Sequence, residues 1–278
     1  MNFGWFQSML LAIITGLTEI LPVSVQAHNR ILVKFMGRGD APALLNFFMH
    51  LGVLAAIYLS CQSHILKMIR AKKMSRIPKK KRKRPLDTRS LMDLSMLTTM
   101  MLPVVAMLFI WRSVEAVSSN TIIMATFLFL NGLILYIPQF LPSSNKDCRM
   151  LSRVEGLLMG LGGAVFAIPG LSGMGAALSI ASVIGVERKY GLSMILALNM
   201  GVMSGKIIYD LLDIISFGMG QVSVTIFLIY LLSAVASFIA AFFAIKLLRI
   251  MAENKGFGSF AYYSWGLALF TFILTLMA

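Results

Sequence analysis

Six stretches of this chain, roughly 43–62, 94–112, 120–141, 190–215, 221–248 and 257–277, stay apolar over about the 20 residues a helix needs to cross a hydrocarbon layer. No other feature narrows the accessible folds as far. With 58% hydrophobic and 13% charged residues and a mean hydropathy of +0.84, the 278-residue chain lies well outside the soluble norm of about 45–50% apolar and about 25% charged. A water-soluble enzyme and a disordered chain are both excluded. The fold class expected is an all-α polytopic membrane protein with six transmembrane helices.

Two further apolar stretches, 3–35 and 154–186, differ from these six. Each is interrupted near its middle, the first by Gly16-Leu-Thr-Glu-Ile-Leu-Pro22-Val-Ser24 and the second by Gly163-Ala-Val-Phe-Ala-Ile-Pro169-Gly-Leu-Ser172. Backbone groups freed by such a break cannot face lipid and must line a cavity or pack inside protein. In both, a Gly precedes the Pro by six residues and a Ser follows it within three; Gly37 and Gly185 close the segments fifteen and sixteen residues past the prolines. The order is one broken segment plus three spans, stated twice. If each broken segment enters and leaves by one side, each half crosses three times and the second half is inverted. The expected organisation is thus one membrane domain over 1–278. It holds two inverted repeats, 1–141 and 154–278, each opened by a re-entrant helical hairpin, with binding at the repeat interface.

The formal net charge is +14, yet twelve of the 25 basic residues fall between Lys67 and Arg89, with only Asp87 opposing them. Beside an apolar span, such a run marks a cytoplasmic loop, here 63–93, near anionic lipid. No aromatic residues interleave with it, so a base-stacking surface for nucleic acid is not supported. Lys146, Arg149, Arg153, Lys246 and Arg249 then fall on the same side, Asp210 and Asp213 on the other, and only Arg30, Lys34 and Arg38 oppose the rule. The N-terminus has no basic leader with an Ala-x-Ala site, so no cleaved signal peptide is expected. Cys61, Cys148, His28, His50 and His64 have no disulfide or metal-ligand spacing.

Ionisable groups inside apolar segments are costly and are therefore the functional candidates. Glu19, three residues before Pro22, reads as a general acid or base or a proton or cation site, or else as a structural group, either a carboxylate paired with Arg30 or a protonated acid donating one hydrogen bond. His28 follows the break by six residues, close enough to share a pocket with Glu19. Ser24 and Ser172 either donate hydroxyls to a common polar site or simply cap helices. His50 reads as an interhelical hydrogen-bonding residue, Arg188 as a headgroup-facing cation, and Lys206 with Asp210 as an i,i+4 pair on one helix face.

The run Gly16-Leu-Thr-Glu-Ile-Leu-Pro-Val-Ser24 followed by His28 resembles the first signature of bacterial undecaprenyl-diphosphatases of the bacitracin-resistance type. Pro169-Gly-Leu-Ser172 followed by Gly185-Val-Glu-Arg188 resembles the second. Weaker similarity extends through His50-Leu-Gly52, Leu102-Pro103 and Phe260-Ala-Tyr-Tyr263, so it covers the chain apart from the basic run. The resemblance implies inverted repeats with two re-entrant hairpins. It also implies hydrolysis of a polyprenyl diphosphate carrier lipid at the cytoplasmic (inner) membrane, in recycling of cell-wall precursors. On that basis Glu19, His28 and Ser24 are the catalytic candidates, and Ser172, Gly170, Arg188 and Arg30 the substrate-binding ones. No metal ligands are assigned, and the cofactor is open, a divalent cation being compatible with the chemistry.

The chain departs from the family pattern where that chemistry is concentrated. Thr15 stands where the first motif begins with Glu, Val25 replaces its second Ser, and Gly173, Met174 and Ala177 stand for the Arg, Ser and Thr of the second motif. Losing the arginine removes a bidentate phosphate clamp, for which Arg30 or Lys34 could stand in; a gain of phosphate release on restoring Arg at 173 would show an intact but disarmed site. Three readings stay open: a divergent diphosphatase, a non-catalytic binder or transporter of polyprenyl phosphate, and a regulatory paralogue. Partners expected are the lipid phosphate or diphosphate, anionic lipid at the basic run, and a second copy of the chain as a homodimer.

Overall fold

A computed structural model describes residues 3–117, 120–142, 145–218, 222–254 and 257–276. The outermost residues of two expected spans, 221 and 277, lie outside them. The described residues form ten α-helices and no strand: α1 Trp5–Thr18, α2 Val25–Phe35, α3 Ala43–Ser75, α4 Thr88–Val117, α5 Thr121–Tyr136, α6 Arg153–Ala164, α7 Gly173–Ile184, α8 Arg188–Phe217, α9 Val224–Asn254 and α10 Ser259–Leu276. Six of these, α3, α4, α5 with its 3-10 extension to Phe140, α8, α9 and α10, are long and apolar enough to cross a membrane. The chain is an all-α, multi-pass membrane protein. Large apolar side chains such as Leu102, Phe109, Ile215 and Leu269 are exposed on the helix exterior, where lipid would cover them.

The four short helices have 11 to 14 residues, so at 1.5 Å per residue each covers about 17–21 Å, too little for a hydrocarbon core of about 30 Å. They form two hairpins, α1–α2 and α6–α7, broken where the sequence places its prolines. Pro22 and Pro169 bar helix continuation, and Ser24 and Ser172 restart the chain as N-caps, accepting from the Ala27 and Gly175 amides at 3.3 and 3.0 Å. Both returning helices end alike. Gly37 (φ 61°) and Gly185 (φ 88°) are left-handed, and the following amides, Arg38 and Val186, bond back to the Val33 and Ala181 carbonyls, the Schellman closure.

The hairpins enter from opposite ends of the bundle. Phe3 and Val33, at the open end of the first, cluster with Leu44 and Phe48 at the start of α3 and Tyr230 near the start of α9. The second opens at the other end, where Gly156 lies on Met96 near the start of α4 and Asp147 pairs with Arg89 at 3.7 Å. Glycines seat each hairpin's first helix on a long one. A Cβ at Gly16 would lie 2.4 Å from the Ser237 carbonyl of α9, and one at Gly160 would lie 2.2 Å from the Met100 carbonyl of α4.

The basic run is less of a loop than its sequence suggests. α3 extends to Ser75 and α4 begins at Thr88, so the connection is 76–87, while Lys67, Arg70, Lys72 and Lys73 ride on the last turns of α3. At 33 residues, α3 is about 50 Å long and projects beyond any hydrocarbon layer. Its end is rich in helix-favouring Lys, Arg, Met and Ala up to Ser75, and Pro78 follows. Arg82 closes it by donating to the Ile77 and Ser75 carbonyls at 2.8 and 3.2 Å.

Candidate functional site

The hairpin tips meet in the interior. Ser24 Oγ, already accepting from Ala27, also accepts the Gly170 amide at 2.9 Å. Asn131 of α5 braces both tips. Its Oδ1 accepts the Ser172 amide at 2.9 Å, and its Nδ2 donates to Ser264 Oγ of α10 at 3.0 Å and to the Pro22 carbonyl at 3.5 Å. Gly170 adopts φ 102°, and a Cβ there would lie 2.6 Å from the Met124 carbonyl, so no other residue fits this turn.

Beside this contact lies a recess of about 420 Å³, its open mouth included, bounded by Thr18, Glu19 and Val23 of the first tip. Phe166, Ser172 and Gly173 of the second tip and Asn199 and Val202 of α8 complete its walls. Glu19 is the charged member, 7% exposed, and its Oε1 accepts from Lys206 Nζ of α8 at 2.6 Å. Lys206, 2% exposed, also rests 5.5 Å from the centre of the Phe166 ring. Asn199 Nδ2 fixes the Glu19 carbonyl at 3.1 Å. Behind the pair, His50 Nε2 of α3 lies 3.7 Å from Glu19 Oε1, and His50 Nδ1 donates to Asp210 Oδ2 at 2.6 Å. Desolvating such ions costs several kcal/mol each, so a buried pair is a poor device for stability alone. Within an apolar interior it is the mark of a site.

Several expected placements are corrected. Lys206 and Asp210 do not pair with each other. α8 packs between the first hairpin tip and α3, so each reaches an opposite or hydrogen-bonding partner on a different neighbour. Glu19 pairs with Lys206 rather than Arg30, which is half-buried on α2 with contacts of its own and does not line the recess. His28 does not share a pocket with Glu19, because α2 carries it toward α10. There Nδ1 donates to the Ser24 carbonyl, the Tyr263 hydroxyl bonds Nε2, both at 2.6 Å, and the two rings stack. Arg188 opens α8, eighteen residues from Lys206 and so about 27 Å along the helix.

Ser24 and Gly170 are brought together but are occupied with each other, whereas Ser172 both caps α7 and lines the recess. His50 does bond between helices, as expected. Thr15, where the family motif has Glu, donates to Asn29 Oδ1 at 3.2 Å and ties α1 to α2. Gly173 has no room for an arginine, since a Cβ would lie 2.5 Å from the Gly163 carbonyl. Lys206, Asn199 and Asn131 escaped sequence reasoning as site residues. Their signal was that of any polar residue inside an apolar span.

Among the described residues, no group of three or more His, Cys, Asp and Glu side chains could hold a metal ion, and the Glu19 carboxylate is already engaged by Lys206. Among the described residues there is thus no all-protein cage of such side chains for a cation.

Residues 8–270 match the family model described as bacitracin resistance protein BacA. Among curated proteins, the chain is 29% identical over 272 residues to an undecaprenyl-diphosphatase of Methanobrevibacter smithii, covering 96% of each chain. It is 27% identical to one of Renibacterium salmoninarum, covering 97% of this chain and 95% of that one. A third, from Corynebacterium glutamicum, is 25% identical over 94% of this chain and 87% of its own.

Proposed function

This chain belongs to the bacitracin resistance protein BacA family, and from that premise we propose that it removes the terminal phosphate of a polyprenyl diphosphate carrier lipid, with the diphosphate held in the recess between the hairpin tips. The observation that carries this reading is the buried Glu19–Lys206 pair, 2.6 Å apart, with Glu19 lining the recess.

Phosphoryl transfer depends chiefly on positioning and on neutralising charge at the phosphate oxygens. Lys206, buried behind Glu19 and not itself on the recess wall, supplies the positive charge beside the diphosphate, where the family pattern uses an arginine at position 173. The α7 N-terminus, with Ser172 and Gly173 on the recess wall, adds its positive dipole end. Glu19 transfers the proton. His28, Ser24 and Gly170 hold the tips in register, while Arg30 and Arg188 stay outside the reaction. The lipid tail leaves the recess between apolar helices, and the Lys79–Arg84 run lies against anionic lipid on the cytosolic face of the cytoplasmic membrane. A homodimer is not needed to complete this site, all of whose residues come from one chain.

Purified protein should release phosphate from a polyprenyl diphosphate, and both Glu19→Gln and Lys206→Met should abolish release while remaining folded. Release from folded wild-type protein no faster than from Glu19→Gln would refute hydrolysis. One observation favours a second reading. Hairpins entering from opposite ends and meeting at a polar recess suit alternating access, and translocation of intact lipid phosphate in proteoliposomes without hydrolysis would select it.

A further inference from the structure

His50 and Asp210 stand behind Glu19 with no task in the reaction as described, yet with Lys206 they complete a chain of four buried or largely buried ionisable groups. His50 Nδ1 is spent on Asp210 at 2.6 Å. If His50 were neutral, its Nε2 lone pair would face the Glu19 carboxylate at 3.7 Å, two acceptors opposed in a medium of low dielectric. One additional proton, on either group, removes that conflict. With it, Lys206, Glu19, His50 and Asp210 sum to zero charge; without it they carry an uncompensated negative charge in the membrane interior. Arg112 of α4 and Asp213 of α8 pair with each other, and α9 brings the buried, uncharged hydroxyls of Ser233 and Ser237, the latter donating to the Met49 carbonyl.

We propose that Glu19 and His50 share one stored proton, that Asp210 orients His50 to hold it, and that this proton is the one delivered to the leaving oxygen. The inference rests on the diphosphatase reading. As water forms its bond to the terminal phosphorus and the bond from that phosphorus to the bridging oxygen breaks, the stored proton passes through Glu19 to the bridging oxygen. One proton of the attacking water returns to the emptied pair. His50 is therefore a positioning residue that acts through Glu19 and does not itself touch substrate.

Two measurements on the full-length protein test this. In infrared difference spectra across a pH titration, the Glu19 carboxylate band, assigned by its loss in Glu19→Gln, should change together with the imidazole bands of His50. That joint change should vanish in His50→Gln, which keeps a donor toward Asp210 but does not titrate. Asp210→Asn should separate the two bands. In phosphate release, His50→Gln should lower kcat about 10²-fold at unchanged KM and move the alkaline fall of the rate, whereas a merely structural loss would leave the pH profile in place. A Glu19 band that titrates alone and is unaltered in both variants overturns the proposal. The spectra need no turnover, so a wild-type protein that fails to release phosphate refutes the diphosphatase reading and leaves the shared proton to be decided by the bands.

Discussion

Lys206 Nζ lies 2.6 Å from Glu19 Oε1 across 187 residues of sequence, joining the middle of α8 to the tip of the first hairpin. Removing one partner leaves the other charged and buried. Lys206→Met should therefore cost about 3–5 kcal/mol of stability, read as a lower unfolding temperature in detergent. The double variant Glu19→Gln with Lys206→Met should cost less than the sum of the single changes. Additive costs would show that the two side chains do not interact.

Restoring the family arginine should fail. A Cβ at Gly173 would lie 2.5 Å from the Gly163 carbonyl, and backbone cannot give way as a flexible side chain can. Gly173→Ala and Gly173→Arg should each lose about 1–3 kcal/mol, and Gly173→Arg should release no more phosphate than wild type. A gain of activity would mean that the second tip repacks.

Ser24→Ala deprives the Ala27 and Gly170 amides of their acceptor. The loss should be about 1–3 kcal/mol, with faster hydrogen exchange at Gly170 in the partner tip. If exchange quickens only within α2, the contact between the tips contributes nothing.

Acid should loosen the base of the second hairpin. The Glu155 carboxylate accepts the Ser152 amide at 2.7 Å and an ion pair from Lys146 at 3.0 Å. The Ser152 bond first, and Lys146 after it, hold its pKa below the usual glutamate range. A depressed carboxylate stabilises the fold above its unfolded pKa, about 4.3, and that contribution is lost as pH falls through the lower folded value. Amide exchange in the first turn of α6 should rise as pH is taken below about 4, after correction for intrinsic rates. Glu155→Ala, which lacks the acceptor for the Ser152 amide, should already exchange fast at neutral pH and show no such step.

The architecture was legible in the chain because its signals are local. Apolar length marked the six spans, Pro22 and Pro169 marked the breaks, and Gly37 and Gly185 marked the closures. The site was legible only in Glu19 and Ser172. Spacing paired Lys206 with Asp210, since the i,i+4 neighbour is the one partner a single helix reveals, while the partners actually used come from the tip after α1 and from α3. His28 and Arg188 lay in motif positions, but the direction of α2 and the length of α8 carried them away. Asn131, which braces both tips, has no motif around it, and its role exists only after α5 has docked.

The order in which the two charges are made also matters for assembly. Glu19 leaves the ribosome 187 residues before Lys206, a wait on the order of 10–40 s at ordinary rates of chain elongation. During that time α1 and α2 have no α8 to dock against, and an uncompensated carboxylate keeps their tip shallow. The first hairpin can settle to its final depth only when the second half of the chain arrives, so a product truncated before α8 should hold an unseated N-terminus, exposed to membrane proteases.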